Sequence, residues 1–268
     1  MVSRIKKIIS FLFVVKPKNT QNLSKNDKIF AIIKENLYSI VFAIVVVSII
    51  RAFFFQFSYI PSGSMKPGLL VGDYVVVTKY NYGYGPVSLP FEAPLLPKDR
   101  IFYNEPKQGD IVIFRLNGDD YVKRLIGLPG DKIQVISSVV YINDKPLKRT
   151  FLKDSTDDLS IKSKLYNEEM QSKSYIVQQY NDAYLFYGYS AYSAIENFGP
   201  VIVPKDQFFV MGDNRDNSQD SRFKDVSFVK KEQLVGKAGI IFFSIDGSFL
   251  QFWKWGEIRW SRIFHIIK

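Results

Sequence analysis

Two serines, one lysine and one polar loop carry the chemistry that this 268-residue sequence can offer. Ser62 and Ser64 stand in Pro61-Ser62-Gly63-Ser64-Met65-Lys66-Pro67, where flanking prolines and an inner glycine hold a turn that a substrate could approach closely. A serine hydroxyl is a weak nucleophile at neutral pH and attacks only with a base beside it. The chain has no cysteine and a single histidine, His265, three residues from the C-terminus. Disulfides, thiol catalysis and cysteine-bound metal are excluded, and neither a His-rich metal site nor a conventional Ser-His-Asp triad is expected. No cofactor is expected either. The base must come from a lysine or a carboxylate.

A lysine acts as a base only when neutral, which requires burial or nearby positive charge to bring its pKa well below about 10.4. Lys123 lies in the β-like run Tyr121-Val122-Lys123-Arg124-Leu125-Ile126. Alternation puts Tyr121, Lys123 and Leu125 on one face and Val122, Arg124 and Ile126 on the other. Two readings stay open at this point: a buried base, or an edge-strand lysine turned to water. The loop Gly212 to Arg222 holds Asp213, Arg215, Asp216, Ser218, Asp220, Ser221 and Arg222 within eleven residues. It could be solvated, but its hydroxyls could also orient a hidden amine and its carboxylates could hold arginines in place.

The elements that must position these groups follow from composition and pattern. The chain is long enough for a substantial core, and its net charge is +10. Arg4, Lys6, Lys7, Lys16, Lys18, Lys25, Lys28 and Lys34 oppose only Asp27 and Glu35 in residues 1–36. Positive charge just ahead of an apolar segment marks the cytoplasmic side of a membrane span and not a nucleic-acid face. Ile8 to Val15 is too short to span, so 1–36 reads as a basic arm. Leu37 to Phe57 is about one bilayer long, with Arg51 its only charge, and predicts a transmembrane helix followed by an extracytoplasmic body, 58–268.

That body reads as mostly β, a folded antiparallel or barrel-like sheet. Strands are expected over Asp73–Lys79, Ile111–Phe114, Tyr121–Ile126, Ile133–Ile136, Val139–Ile142, Phe208–Met211 and Leu234–Ile245. A hairpin turn is expected at Ser137-Ser138. Residues 150–200 are polar and Tyr-rich and predict an inserted lobe. In the tail, 249–268, Trp253, Trp255 and Trp260 mix with Lys254, Arg259 and Arg262, which suits either a membrane-proximal segment or packing onto the body.

Taken in order, the Pro61–Pro67 stretch, Gly109-Asp110-Ile111-Val112, Lys123 to Asp131 and Gly212 to Arg222 resemble the sequence boxes of bacterial type I signal peptidase (leader peptidase), in a single-span form. The resemblance runs from the end of the anchor to about Lys237, and it implies a membrane-anchored serine endopeptidase. Such an enzyme removes signal peptides from exported preproteins after a small-x-small motif, at the outer face of the cytoplasmic membrane. By resemblance Ser64 is the nucleophile and Lys123 the base. Ser62 and the Ser64 N–H form the oxyanion hole, and Ser218 orients the lysine. The pairs Arg124–Asp213 and Asp220–Arg222 are supports, and Ile60 and Tyr121 line substrate pockets. The implied partners are signal peptides and the phospholipid membrane, with no nucleic acid. The 150–200 lobe matches no family box. Rival readings are an inactive anchored β-rich scaffold, or a Ser/Lys self-cleaving regulator, which would carry a DNA-binding helix pair where this chain has an anchor.

Overall fold

The computed structural model describes residues 25–88, 99–156, 161–181, 189–246 and 258–267. The chain divides into two units, one ending at Ala52 and the other running from Phe53 to Lys268. The first contains nearly all of helix α1 (Lys25–Phe53), whose Asn36–Phe53 segment is long and apolar enough to cross a membrane. The helix stops earlier than hydropathy suggests. Phe55–Phe57, expected as the end of the anchor, instead open strand β1 (Phe55–Tyr59). The reason is its period of two: Ser58 is buried and Gln56 half-buried, while Phe55, Phe57 and Tyr59 are exposed on the opposite face. A hydropathy average over the whole stretch does not register that alternation.

The second unit is built on antiparallel strands. Its main sheet runs β1, β2 (Asp73–Thr78), β14 (Leu234–Ser244), β3 (Ile111–Leu116), β4 (Asp119–Gly127), β12 (Gln207–Met211) and β13 (Val229–Lys230). The short tail strand β15 (His265–Ile266) pairs with β14. A second sheet joins β11 (Phe198–Ile202), β5 (Lys132–Ile136), β6 (Val139–Ile142) and β7 (Lys145–Pro146). The β5–β6 turn is Ser137-Ser138, both with positive φ, the geometry that fits the twist of a two-residue hairpin. Three apolar clusters form the core; the one nearest the chemistry holds Ile60, Met65, Leu69, Val75 and Val77.

The lobe expected over 150–200 is a third sheet of β8 (Lys148–Thr156), β9 (Lys162–Met170) and β10 (Lys173–Tyr180), followed by helix α2 (Tyr189–Glu196). Eight residues of helix are too few to leave a visible 3.6-residue period. In the tail, Trp253 and Trp255 lie outside the described residues. Arg262 packs onto the body, donating to the buried Asp73 carboxylate at 2.6 and 3.1 Å, while Trp260 is exposed.

Gly72 ties the start of β2 to the site. Its N–H donates to Ile60 O at 3.1 Å, and its carbonyl accepts from Ile245 N at 3.2 Å. Its φ is +92°, and a Cβ there would sit 1.9 Å from Ile245 O. Gly72→Ala is therefore expected to cost about 2–3 kcal/mol, read as a lowered unfolding midpoint of the detergent-solubilised protein.

Candidate active site

The segment that carries Ser62 and Ser64 follows directly from β1. After Ile60 and Pro61, Gly63–Met65 makes one 3-10 turn with Met65 buried beneath it, so the apolar contact below fixes the serine above. The Gly212–Arg222 loop holds the turn from behind. Asn214 N donates to Ser64 O at 3.0 Å, and Asn214 Nδ2 donates to Gly63 O at 3.1 Å. Gly212 must be a glycine here, since a Cβ would lie 2.5 Å from Ser64 O and 2.2 Å from Ser218 Oγ.

Strand β4 brings Lys123 to the same point, with Nζ 2.7 Å from Ser64 Oγ. Lys123 is 4% exposed, so the water-facing alternative is excluded. Its cross-strand partner is Val112, and Tyr121 stacks on Phe114 at 5.6 Å. Burial pulls the Lys123 amine down to about 8; the Arg222 charge pulls the same way, while Asp220 and Asp213 oppose. About a tenth of it is therefore neutral at pH 7, against less than about one part in a thousand for an ordinary lysine.

The other expected residues are gathered here too. Ser62 Oγ donates to Ser64 Oγ at 3.3 Å. Arg124 points away from Lys123 into a bidentate pair with Asp213, both bonds 2.7 Å, and donates to Gly109 O at 2.9 Å. Arg222 grips Asp220 through two bonds of 2.9 Å, and Asp220 also accepts from Gly212 N at 3.0 Å. Burial works against the Asp220 charge, yet Arg222 and these hydrogen bonds hold its pKa below the usual value. Ile60 and Tyr121 line a cleft of about 290 Å³ together with Pro61, Ser62, Ser64 and Lys123. Ser218 is the exception among these contacts: its buried Oγ makes no hydrogen bond among the described residues, although it packs against Gly212. Among the described residues no cluster could hold a metal ion.

The supports that the sequence did not disclose come from the inserted lobe. Glu168 of β9 is buried and forms a two-pronged pair with Arg215, with one bond of 2.8 Å to Nη1 and a second to Nη2. Tyr175 of β10 donates to Glu168 at 2.8 Å, and the Arg124 guanidinium lies 3.7 Å over its ring. Gln178 exchanges main-chain bonds with the loop, donating to Asp213 O and accepting from Arg215 N at 2.9 Å each. Tyr180 N donates to Asp216, whose carboxyl burial pushes up to about 6. One signal was present: Glu168 shares the inward face of β9 with Met170, where a carboxylate needs a partner. The partner itself, 47 residues on, could not be read from a linear pattern.

The family model described as signal peptidase, peptidase S26, matches residues 33–243. Signal peptidase I of Rickettsia typhi is 40% identical over 257 residues, covering 89% of this chain and 96% of its own. That of Rickettsia prowazekii is 38% identical over 263 residues, covering 92% and 97%. A solved signal peptidase I from Enterococcus faecalis is 25% identical, covering 50% of this chain and 97% of its own, with a TM-score of 0.30.

Removing Glu168 would leave Arg215 charged, buried and unpaired. Glu168→Ala is therefore expected to destabilise the protein by about 3–5 kcal/mol, checked by denaturant unfolding. A loss below about 1 kcal/mol would mean that the pair does not hold the loop.

Proposed function

The chain belongs to the signal peptidase (peptidase S26) family, and we propose that Ser64 and Lys123 are its nucleophile and general base. The protein is a membrane-anchored serine peptidase that removes signal peptides. The observation that carries the residue assignment is the 2.7 Å contact between Ser64 Oγ and a lysine amine kept from water.

In the proposed reaction the preprotein lies with the residues before the cut in the cleft lined by Ile60 and Tyr121, whose modest size suits small side chains. The Ser64 hydroxyl gives its proton to the neutral Lys123 amine as its oxygen bonds to the scissile carbonyl carbon. Negative charge moves to the carbonyl oxygen, where the Ser62 hydroxyl and the Ser64 N–H can donate to it. When the tetrahedral intermediate collapses, the C–N bond breaks, and the Lys123 ammonium returns the proton to the departing amine of the mature protein. Lys123, neutral again, takes a proton from water. The resulting hydroxide attacks the acyl carbon, the ester bond to Ser64 Oγ breaks as the Lys123 ammonium returns its proton to that oxygen, and the signal peptide leaves with a new carboxylate. Ser218 supplies a buried hydroxyl with open capacity to orient the amine. Arg124–Asp213 and Asp220–Arg222 hold the strand and loop that present these groups.

The basic arm supports a cytoplasmic N-terminus and a catalytic body on the outer side of the inner membrane, by the positive-inside rule. Phe57, Phe242 and Phe264 form an exposed aromatic run, with centroid separations of 5.0 and 6.0 Å, of a kind that lies in a phospholipid interface.

Preprotein cleavage in detergent tests the assignment. Ser64→Ala and Lys123→Ala should each lose more than about 10³-fold in rate while melting like the unaltered protein; Ser62→Ala should lose about 10²–10³. Full activity in Lys123→Ala would remove the base assignment. The pH profile has a definite sign. Protonating Lys123 removes the base, so kcat/KM should be level above about pH 8 and fall toward tenfold per unit below it. A profile flat from pH 6 to 9 would contradict a lysine base.

A further inference from the structure

The lobe sheet has an open edge beside the site. Strands β9 and β10 are joined by the two-residue turn Gln171-Ser172, so the flanking pair Met170 and Lys173 face each other with their main-chain groups. Every second residue from Lys173 then bonds to β9, while Ser174, Ile176, Gln178 and Tyr180 turn N–H and C=O away from it. The last two are occupied. Gln178 is bonded on both groups by Asp213 and Arg215, and Tyr180 N donates to Asp216. No main-chain bond is made to Ser174 or Ile176 on that side among the described residues. A cavity of about 420 Å³ is lined by Ser174, Tyr175 and Ile176 of this strand together with Pro67, Gly68 and Arg262.

This edge is continuous with the reactive serine. Asn214 donates to Ser64 O and forms a parallel bridge with Gln178. Two inter-strand steps of about 5 Å separate Ser64 from Gln178, and Ile176 and Ser174 lie about 7 and 13 Å further along. The free edge therefore starts roughly 12 Å from Ser64 and ends roughly 17 Å away, a span of about four or five extended residues. Pro67 and Gly68, which wall the cavity, follow Ser64 by only three and four residues.

We propose that the Ser174–Ile176 edge receives, as an added strand, the segment of the preprotein that follows the scissile bond. The inference rests on Ser64 being the nucleophile. The residues before the cut have the cleft at Ile60 and Tyr121. Those after it leave Ser64 as an unfolded chain, and an extended backbone is the ligand whose donors and acceptors recur at the spacing of a free strand edge. Recognition is through the main chain, so it accepts the varied sequences that begin exported proteins. It requires only that the segment be extended and free of proline at the paired positions. The inserted lobe thereby acquires a role in substrate binding besides buttressing the loop.

The test uses the full-length protein in detergent and three synthetic substrates with one small-x-small site. The first ends two residues after the cut and the second seven residues after it. The third is a set of the longer peptide carrying a single main-chain N-methyl group at each successive position after the cut. The longer substrate should have a kcat/KM about tenfold higher, the size expected for two main-chain hydrogen bonds. N-methylation should erase that gain at alternate positions between about the third and sixth residues, and spare those between. Ile176→Pro should likewise erase the long-to-short ratio measured on the same preparation. Equal rates for short and long substrates, or N-methyl effects without alternation, would overturn the edge while leaving the nucleophile in place. Failure of the unaltered protein to cut any of the three would remove the nucleophile assignment and the proposal with it.

Discussion

Keeping water from the Lys123 amine is what chiefly draws its proton loss toward neutrality, and the neighbouring structure is arranged around that cost. Lys123 is buried beside Ser64, with its charge opposed by desolvation and by Arg222. Yet Asp213 and Asp220 are buried close by, and two free carboxylates there would restore the charge. Each is instead bound to an arginine of its own, Arg124 and Arg222. The ion pairs are thus less a source of stability than a way of keeping negative charge committed elsewhere. Buried pairs of this sort gain little net energy, but losing one partner is expensive.

The same constraint explains the dependence on the lobe. Arg215 sits in the middle of the polar loop and would add a second bare charge behind the turn. Glu168, reaching in from β9, neutralises it, and the surrounding charges hold both groups ionised: burial favours the neutral forms of each, and the partner outweighs it. Tyr175 lies between this pair and Arg124, bonded to one and stacked on the other. The inserted sheet is therefore joined to the reactive turn by charge, by ring stacking and by the main-chain bridge at Gln178. That one bridge also divides the β10 edge into an occupied half and an open half, so support of the loop and reception of a chain share a single strand.

Some of this was legible in order along the chain. The Ser62–Pro67 turn, the alternation around Lys123 and the dense loop at 212–222 were each visible as local chemistry, and their order after an apolar segment carried the family resemblance. The hairpin at Ser137-Ser138 followed from local turn preference. Other features had no local signature. Phe55–Phe57 looked like the end of a spanning helix because its phenylalanines raise the mean hydropathy; only pairing with β2 makes it part of a strand. Residues 150–200 were legible only as a polar, Tyr-rich inserted lobe, because their strands carry no regular apolar alternation and their order comes from pairing with each other.

The sequence by itself determined which groups could do chemistry: with no cysteine and one terminal histidine, a serine nucleophile had to turn to a lysine or a carboxylate. It also determined the presence of an apolar helix and a β-rich body, because those patterns are periodic over neighbouring residues. Only the tertiary structure decided whether Lys123 is buried beside Ser64 or a solvated surface charge. The answer depends on which residues separated by tens of positions exclude water from it, and on which partners hold the surrounding carboxylates. Desolvation and ion pairing act through space, between Arg124 and Asp213 or Glu168 and Arg215, and spacing along the chain carries no record of them until the sheets are assembled.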